Sequence, residues 1–279
     1  MESKNLGAKE LILIIVTLAL FLYIGWFLGK YKSDKKFNWI YKTVVTSYFP
    51  LQDNLSDILA KGMLAGLNDS NTFYATPEEY KKLKSTSENA NIAFKKIDDR
   101  TSYLKFDAFT QNLQKELLPD LQKLSDSSDQ TLIVDLRSNM GGNFESALWF
   151  LGQFINDKEV IIEKYKDQEF LHKTSSNSSL AKVKVFVVVS KETSSAAEIV
   201  AAVLQENSRA KIVGERTYGK NTIGNYFEYR DKSAIHVTTG KWVTVGGNDI
   251  GKVGVNPDIV VEHILDINTE DIVKLIQPI

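Results

Sequence analysis

The sequence predicts an α/β fold on a partly parallel sheet, and three observations carry that prediction. Between Ser102 and Gly214, apolar runs of strand length alternate with runs of helical period. The pair "VKVFVVV" and "KIVG" flanks an Ala-rich helix, so strand, helix and strand follow at the length of a right-handed parallel crossover. Beyond Ala234, "AIHVTTGKWVTV" through "VGVNPDIVVE" returns to strand and turn, which makes the sheet mixed.

The 279 residues are 43% hydrophobic and 25% charged, enough for a sizeable core. With 34 Lys+Arg against 35 Asp+Glu the net charge is -1, so no whole-molecule field attracts nucleic acid, and none is expected as a partner. Cysteine is absent, which removes disulfides, thiol nucleophiles and zinc-cysteine sites. His172, His236 and His263 fall on separate elements without ligand spacing. Neither a metal nor a cofactor is expected.

In chain order, a tail over 1–10 precedes "LILIIVTLALFLYIGWFL", an uncharged run that at ~1.5 Å per helical residue roughly spans a bilayer core. We expect a retained transmembrane anchor over 11–29. Lys4 and Lys9 lie before it and Lys30, Lys32, Lys35 and Lys36 after it, so charge alone favours a cytoplasmic C-terminal side. A helical segment over 30–90 follows. Ile40, Val44 and Val45, then Leu55, Ile58, Leu59 and Met63, keep helical spacing on either side of Pro50. "NDSNTFYATPEEY" reads as a loop that starts a third helix at Thr76-Pro77, where Thr caps and Pro fits the first turn. "NIAFKKI" reads as a strand. The core over 91–279 continues with strand "SYLKFDAF", helix "TQNLQKELLPDLQKL", strand "TLIVDL", a break at Gly141-Gly142, helix "FESALWFLGQFI", strand "EVIIEKY" and the Ser-rich loop "TSSNSSL". The crossover comes next.

After the crossover, "GERTYGKN" is one hydroxyl short of the phosphate-binding G-x-x-x-x-G-K-[ST] loop, with Asn221 in the last place. Such a loop opens a helix whose amides face the phosphate. Here "NTIGNYFEYR" alternates as a strand does, so the nucleotide reading fails. Lys220 has another partner in Ser195, 25 residues earlier at the start of the Ala-rich helix, because the crossover returns the chain beside that helix start. A lysine whose amine is kept neutral by burial serves as a general base to a serine. Tyr218 and Ile223 are candidates to provide that burial, and the Ala196 amide at the helix N-terminus is a candidate oxyanion donor. A competing account of Ser195 is the one its spacing alone favours: Ser195-Ala-Ala-Glu198 has the spacing of a capping box. The nucleophile reading stays open beside it. Asp135 and Arg137, next to a buried strand, are expected to fix the following turn rather than touch substrate.

The stretch "TSSAAEIVAAVLQENSRAKIVGERTYGKNT" resembles the serine–lysine block of the C-terminal processing, or tail-specific, serine peptidases, close to S-A-S-E-I-x-A-x-A-L-Q then R-A-x-x-V-G-x-x-T-F-G-K-G-x-x-Q. "LIVDLRSNMGG" resembles their D-L-R-x-N-x-G-G, "VGVNPDIVVE" their late G-x-x-P-D block, and "MLAGLNDSNTFYATPEEY" their leading helical segment. The likeness implies a crotonase/ClpP-like α/β core. It implies Ser195 as nucleophile, Lys220 as base, and an oxyanion hole from the Ala196 amide and a glycine amide of Gly141-Gly142, the first being favoured. It also implies protein or peptide substrates and a peptidase domain outside the cytoplasm, against the charge count. Two departures stand out. The family glutamine four positions after the lysine is Gly224 here, which leaves Asn221, Thr222 or Asn225 to orient Lys220 and makes Gly224→Gln an expected gain of activity where the local strand tolerates the larger side chain. The family's PDZ domain has only about twenty residues available to it, far below a domain's ~50. A silent binding or scaffold member and a crotonase-like acyl-CoA enzyme remain as rivals, and a homo-oligomer or an activating partner remains open.

Overall fold

The computed structural model describes residues 35–47, 54–86, 90–124, 126–175 and 179–276, in two compact units, one ending at Leu59 and one running from Ala60 to Ile279. The anchor expected over 11–29 lies outside the described residues. Among those described, no helix is long and apolar enough to cross a membrane. The first unit holds α1 (Lys35–Ser47), which has no buried residue, and the start of α2 (Leu55–Ala65), which runs on into the second.

The second unit continues through β1 (Phe73–Ala75), α3 (Pro77–Thr86), β2 (Ile92–Lys96), β3 (Thr101–Phe106), α4 (Leu113–Leu121), β4 (Thr131–Asp135) and α5 (Phe144–Gly152). It then runs through β5 (Glu159–Tyr165), β6 (Glu169–Lys173), β7 (Lys184–Val189), α6 (Ala196–Glu206), β8 (Ala210–Gly214), β9 (Thr222–Glu228) and β10 (Ala234–Thr244). β11 (Ile259–Val260), a 3₁₀ turn at Ile264–Asp266 and α7 (Thr269–Ile276) close it.

Six strands form one sheet in the order β11-β8-β7-β4-β3-β2, parallel throughout except for the antiparallel β2–β3 hairpin. Period-two alternation covers both of its faces. Leu132, Val134, Val185 and Val187 pack with Leu117 of α4, Phe150 of α5 and Val200 of α6. Ile133, Phe186 and Val188 pack on the other side with Ile272 and Ile276 of α7. Strands buried on both faces need apolar residues at consecutive positions, which is why "TLIVDL" and "VKVFVVV" read as continuous runs. Each such side chain contributes about 1.5–3 kcal/mol. The second sheet is built around β10, paired with β9 along one edge and with β1 and β5 along the other, while β6 pairs with β5.

Three elements depart from the expectation. β1 lies inside the stretch read as a loop, because its three residues owe their conformation to antiparallel pairing with β10, 160 residues away in sequence. β6 is mostly exposed and so carries little apolar pattern. α7 lies beyond Glu262, where the stretch read as strand and turn ends, and starts at Asn268, whose Oδ1 accepts the Asp271 amide at 3.0 Å. The cap at Thr76 forms as expected: Glu79 Oε2 accepts the Thr76 amide at 2.8 Å and Thr76 Oγ1 the Glu79 amide at 3.3 Å. Five residues link α3 to β2.

Candidate active site

Ser195 sits between the end of β7 and the start of α6, in a loop stitched to the turn that follows β4. Ser190 Oγ donates to the Arg137 carbonyl at 2.5 Å, Thr193 Oγ1 to the Leu136 carbonyl at 2.8 Å, and Ser194 Oγ to the Met140 carbonyl at 2.9 Å. These hydroxyls explain the Ser/Thr density of "SKETSS". Ser195 itself has φ +54° and ψ −122°. An ordinary N-cap residue holds extended backbone. A non-glycine residue at this φ costs on the order of 1–3 kcal/mol, a strain that clusters at reactive sites and presents a side chain at a sharp strand-to-helix turn. Capping does not require it.

Glu198 does more than close a cap. It is fully buried, and Oε2 accepts the amides of Ser195 at 2.9 Å and Lys220 at 2.8 Å. Oε1 accepts the Gly219 amide at 2.6 Å and Thr217 Oγ1 at 2.5 Å. One carboxylate thereby fixes the lysine loop to the serine. Burial pushes its pKa up, against these four donated bonds that pull it down. The loop is held from other sides too. The Tyr218 amide donates to the Thr193 carbonyl at 3.0 Å, and Val255, in the late "VGVNPD" block, donates to Thr217 Oγ1 at 2.7 Å. A strand, β9, follows the loop, so Gly214–Asn221 lacks the helix that a phosphate loop opens.

Two open amides flank the serine. Ala196 N–H has no acceptor among the described residues, and neither has Gly142 N–H. The first glycine, favoured from sequence, is otherwise engaged: its N–H donates to Asn139 Oδ1 at 2.9 Å. Its bareness still matters, since at φ +97° a Cβ on Gly141 would stand 2.8 Å from the Ala196 nitrogen. Asn139, fully buried, also donates to the Phe106 carbonyl at 3.0 Å and so locks the turn to β3. Asp135 and Arg137, expected to fix the same turn, instead bond to each other and to the chain around the 3₁₀ turn. Arg137 Nη2 pairs with Asp135 at 2.7 Å while Nη1 donates to the Ile264 and Ile267 carbonyls, each at 2.6 Å. Burial and Asp135 push the neighbouring Tyr103 phenol up to about 12.

Ser195, Ala196, Gly142 and Lys220 line one cleft of about 650 Å³. Its far wall comes from the second sheet, with Glu163, Tyr165, His172, His236 and Trp242. His172 Nε2 lies 3.0 Å from Glu163 Oε2, and the phenol of Tyr165 donates to the same oxygen at 3.3 Å. Two of the three histidines read as scattered therefore meet in this cleft. Their spacing in sequence reveals nothing because strand pairing, not local period, brings them there. His263 stays away, at the start of the 3₁₀ turn. Ile223 lines the cleft, whereas Tyr218 is 64% exposed and shields nothing.

The residues expected to orient Lys220 divide. Asn221 Nδ2 is spent on Asp249 at 2.6 Å and Asn225 Nδ2 on Thr239 at 2.9 Å. Thr222 lines the cleft, with a buried hydroxyl that has no partner among the described residues. A glutamine at Gly224 is barred. A Cβ there would lie 2.2 Å from His236 Cε1, so the gain expected from Gly224→Gln does not follow in the wild-type background.

The sequence model of peptidase family S41 matches residues 100–261. The chain is 34% identical over 168 residues to the carboxyl-terminal-processing peptidase 1 of Arabidopsis thaliana chloroplasts, covering 58% of this chain and 34% of that protein. It is likewise 34% identical over 167 residues to the carboxy-terminal processing protease CtpA of Bacillus subtilis, covering 59% of this chain and 36% of that one. The match thus spans about a third of these relatives' length. Among solved structures, the photosystem II D1 C-terminal processing protease superposes with TM-score 0.61 at 16% identity, over 79% of this chain and 85% of that one. A lipoprotein from Streptococcus agalactiae superposes with TM-score 0.65 at 16% identity, over 89% and 90%. These likenesses carry the mixed α/β core. With the family match covering more than half of the sequence and including the serine turn, the lysine loop and both glycines, the chain belongs to peptidase family S41.

Proposed function

We propose that the protein is a serine endopeptidase of the tail-specific type, with Ser195 as nucleophile and Lys220 as general base. One observation carries the reading: a serine held at φ +54° opens a helix, in a cleft that it shares with a lysine. Ser195 Oγ attacks the scissile carbonyl while the Lys220 amine takes its proton. Charge developing on the carbonyl oxygen is met by the N–H groups of Ala196 and Gly142, preorganised and open. The Lys220 ammonium then returns the proton to the leaving amine, and a water hydrolyses the acyl-enzyme by the same path.

Protein or peptide segments are the proposed substrates. The cleft adjoins a second of about 990 Å³ that shares Gly142, Asn143, Gly224 and Tyr226 with it, which supports an extended chain as ligand. Five residues between α3 and β2 leave no room there for an inserted domain, which supports the cleft itself as the part that selects the substrate. The uncharged run over 11–28 supports a single membrane anchor, with the peptidase domain outside the cytoplasm.

Gly224, where the resemblance places a glutamine, favours a second reading: a silent member that binds without turnover. Hydrolysis of an unfolded protein separates the two. Turnover lost in both Ser195→Ala and Lys220→Ala supports the peptidase; a folded wild type as inactive as Ser195→Ala supports the silent protein.

A further inference from the structure

We propose that His236 positions Lys220, acting from β10 in place of a group at 224; this rests on the Ser195–Lys220 reading above. β9 and β10 pair so that Gly224 faces Thr238 and Tyr226 faces His236, which puts His236 diagonally beside Gly224. The imidazole fills the space that a side chain at 224 would use. An ideal Cβ on Gly224 would stand 2.2 Å from Cε1 and 2.5 Å from Nε2, so this edge of the ring lies over the glycine. Gly224 has no left-handed φ to explain its identity. The ring does.

The ring is fixed and its tautomer is set. Nδ1 lies 2.5 Å from the Asn71 carbonyl. A carbonyl only accepts, so Nδ1 carries the hydrogen and Nε2 keeps a lone pair. Phe73 stacks on the ring at 5.2 Å and 26°, and Tyr226 holds it at 4.5 Å. His236 and Lys220 line the same cleft. A general base needs a third group that accepts one of its own N–H bonds and so aims its lone pair at the nucleophile. Nε2 is such an acceptor. Of the three groups expected to serve, Asn221 and Asn225 each spend their Nδ2 on another residue and keep only Oδ1 as an acceptor, and Thr222 offers only a hydroxyl that is itself unsettled. The other titratable groups facing this space are Tyr226 on β9, Glu163 and Tyr165 on β5, His172 on β6 and Glu145 on α5. His172 is already paired with Glu163.

The test is steady-state kinetics on an unfolded protein substrate across pH, with Ser195 acylation and melting midpoint as controls for folding. His236→Ala should lower kcat by roughly 10–100-fold with KM little changed, and His236→Gln should restore most of it. Protonated imidazole cannot accept, so the acid limb of log kcat/KM should reach a slope of about 2 in the wild type and about 1 in His236→Gln. The double variant Gly224→Gln/His236→Ala should recover activity, because it moves the acceptor and frees its space. If His236→Ala keeps wild-type kcat, or Thr222→Val reproduces the loss, the proposal is overturned; should His236→Ala not fold, an unchanged slope in His236→Gln overturns it equally. A wild type that is inactive and unlabelled at Ser195 refutes the dyad reading and this proposal with it, whereas an active enzyme indifferent to His236 refutes the positioning role alone.

Discussion

Glu198 shows what a single residue contributes and how far its role was readable. Its spacing from Ser195 identifies a helix cap, and that bond exists, but three of its four donors come from the neighbourhood of Lys220, about twenty residues on. Local spacing cannot show a tertiary ligand set. Glutamine in its place has one acceptor oxygen and turns an NH₂ towards N–H donors, so Glu198→Gln should leave buried donors unpaired at ~1–3 kcal/mol each and lower kcat by loosening the Lys220 loop. The pH dependence has a definite sign. Burial raises the Glu198 pKa in the native state, so the group favours folding most fully below its unfolded value of ~4.3, and that contribution is lost as pH rises through the raised native value. The stability difference between wild type and Glu198→Gln, from denaturant midpoints, should therefore shrink in the wild type's disfavour as pH rises from about 4 upwards. A difference that grows with pH would mean that the four donors outweigh burial. His236 was hidden for the same reason: its contact with Gly224 depends on the β9–β10 register, which the sequence does not print.

Among the elements, those with apolar runs buried on both faces, β4 and β7, and the helices α5 and α6 were legible, because burial and period are one signal there. β1 and β6 were not, since a three-residue strand and an exposed one owe their conformation to partners. The turn after β4 was recognised as a site, yet which glycine faces the cleft depends on Asn139, whose side chain engages the Gly141 amide. This assigns different jobs to neighbours. Gly141→Ala should press a methyl on the Ala196 amide and lower kcat by about 10²-fold with KM nearly unchanged, as loss of an oxyanion donor does. Progress curves at saturating substrate check it; a rise in KM alone would place Gly141 in ground-state binding. Leu151→Ala, removing a fully buried side chain of α5, should instead cost ~2–5 kcal/mol of stability, read from urea midpoints, with catalysis intact below the transition.

For the whole molecule, fold and family were legible from the order of four motif blocks, while the proposed membrane anchor rests only on an uncharged run at 11–28. The full chain should stay with membranes after alkaline extraction, while a chain starting at Lys35 should partition into the soluble fraction. Protease added to intact cells should reach the peptidase domain; protection there would favour the charge count over the family in setting orientation. The central claim, that Ser195 is a nucleophile activated by Lys220, is tested most directly by a serine-reactive acylating probe followed by peptide mass spectrometry on the folded chain. The account predicts a single adduct on Ser195, lost in Ser195→Ala and formed far more slowly in Lys220→Ala. An unlabelled Ser195 in a folded wild type, or equal labelling with and without the Lys220 amine, would contradict it.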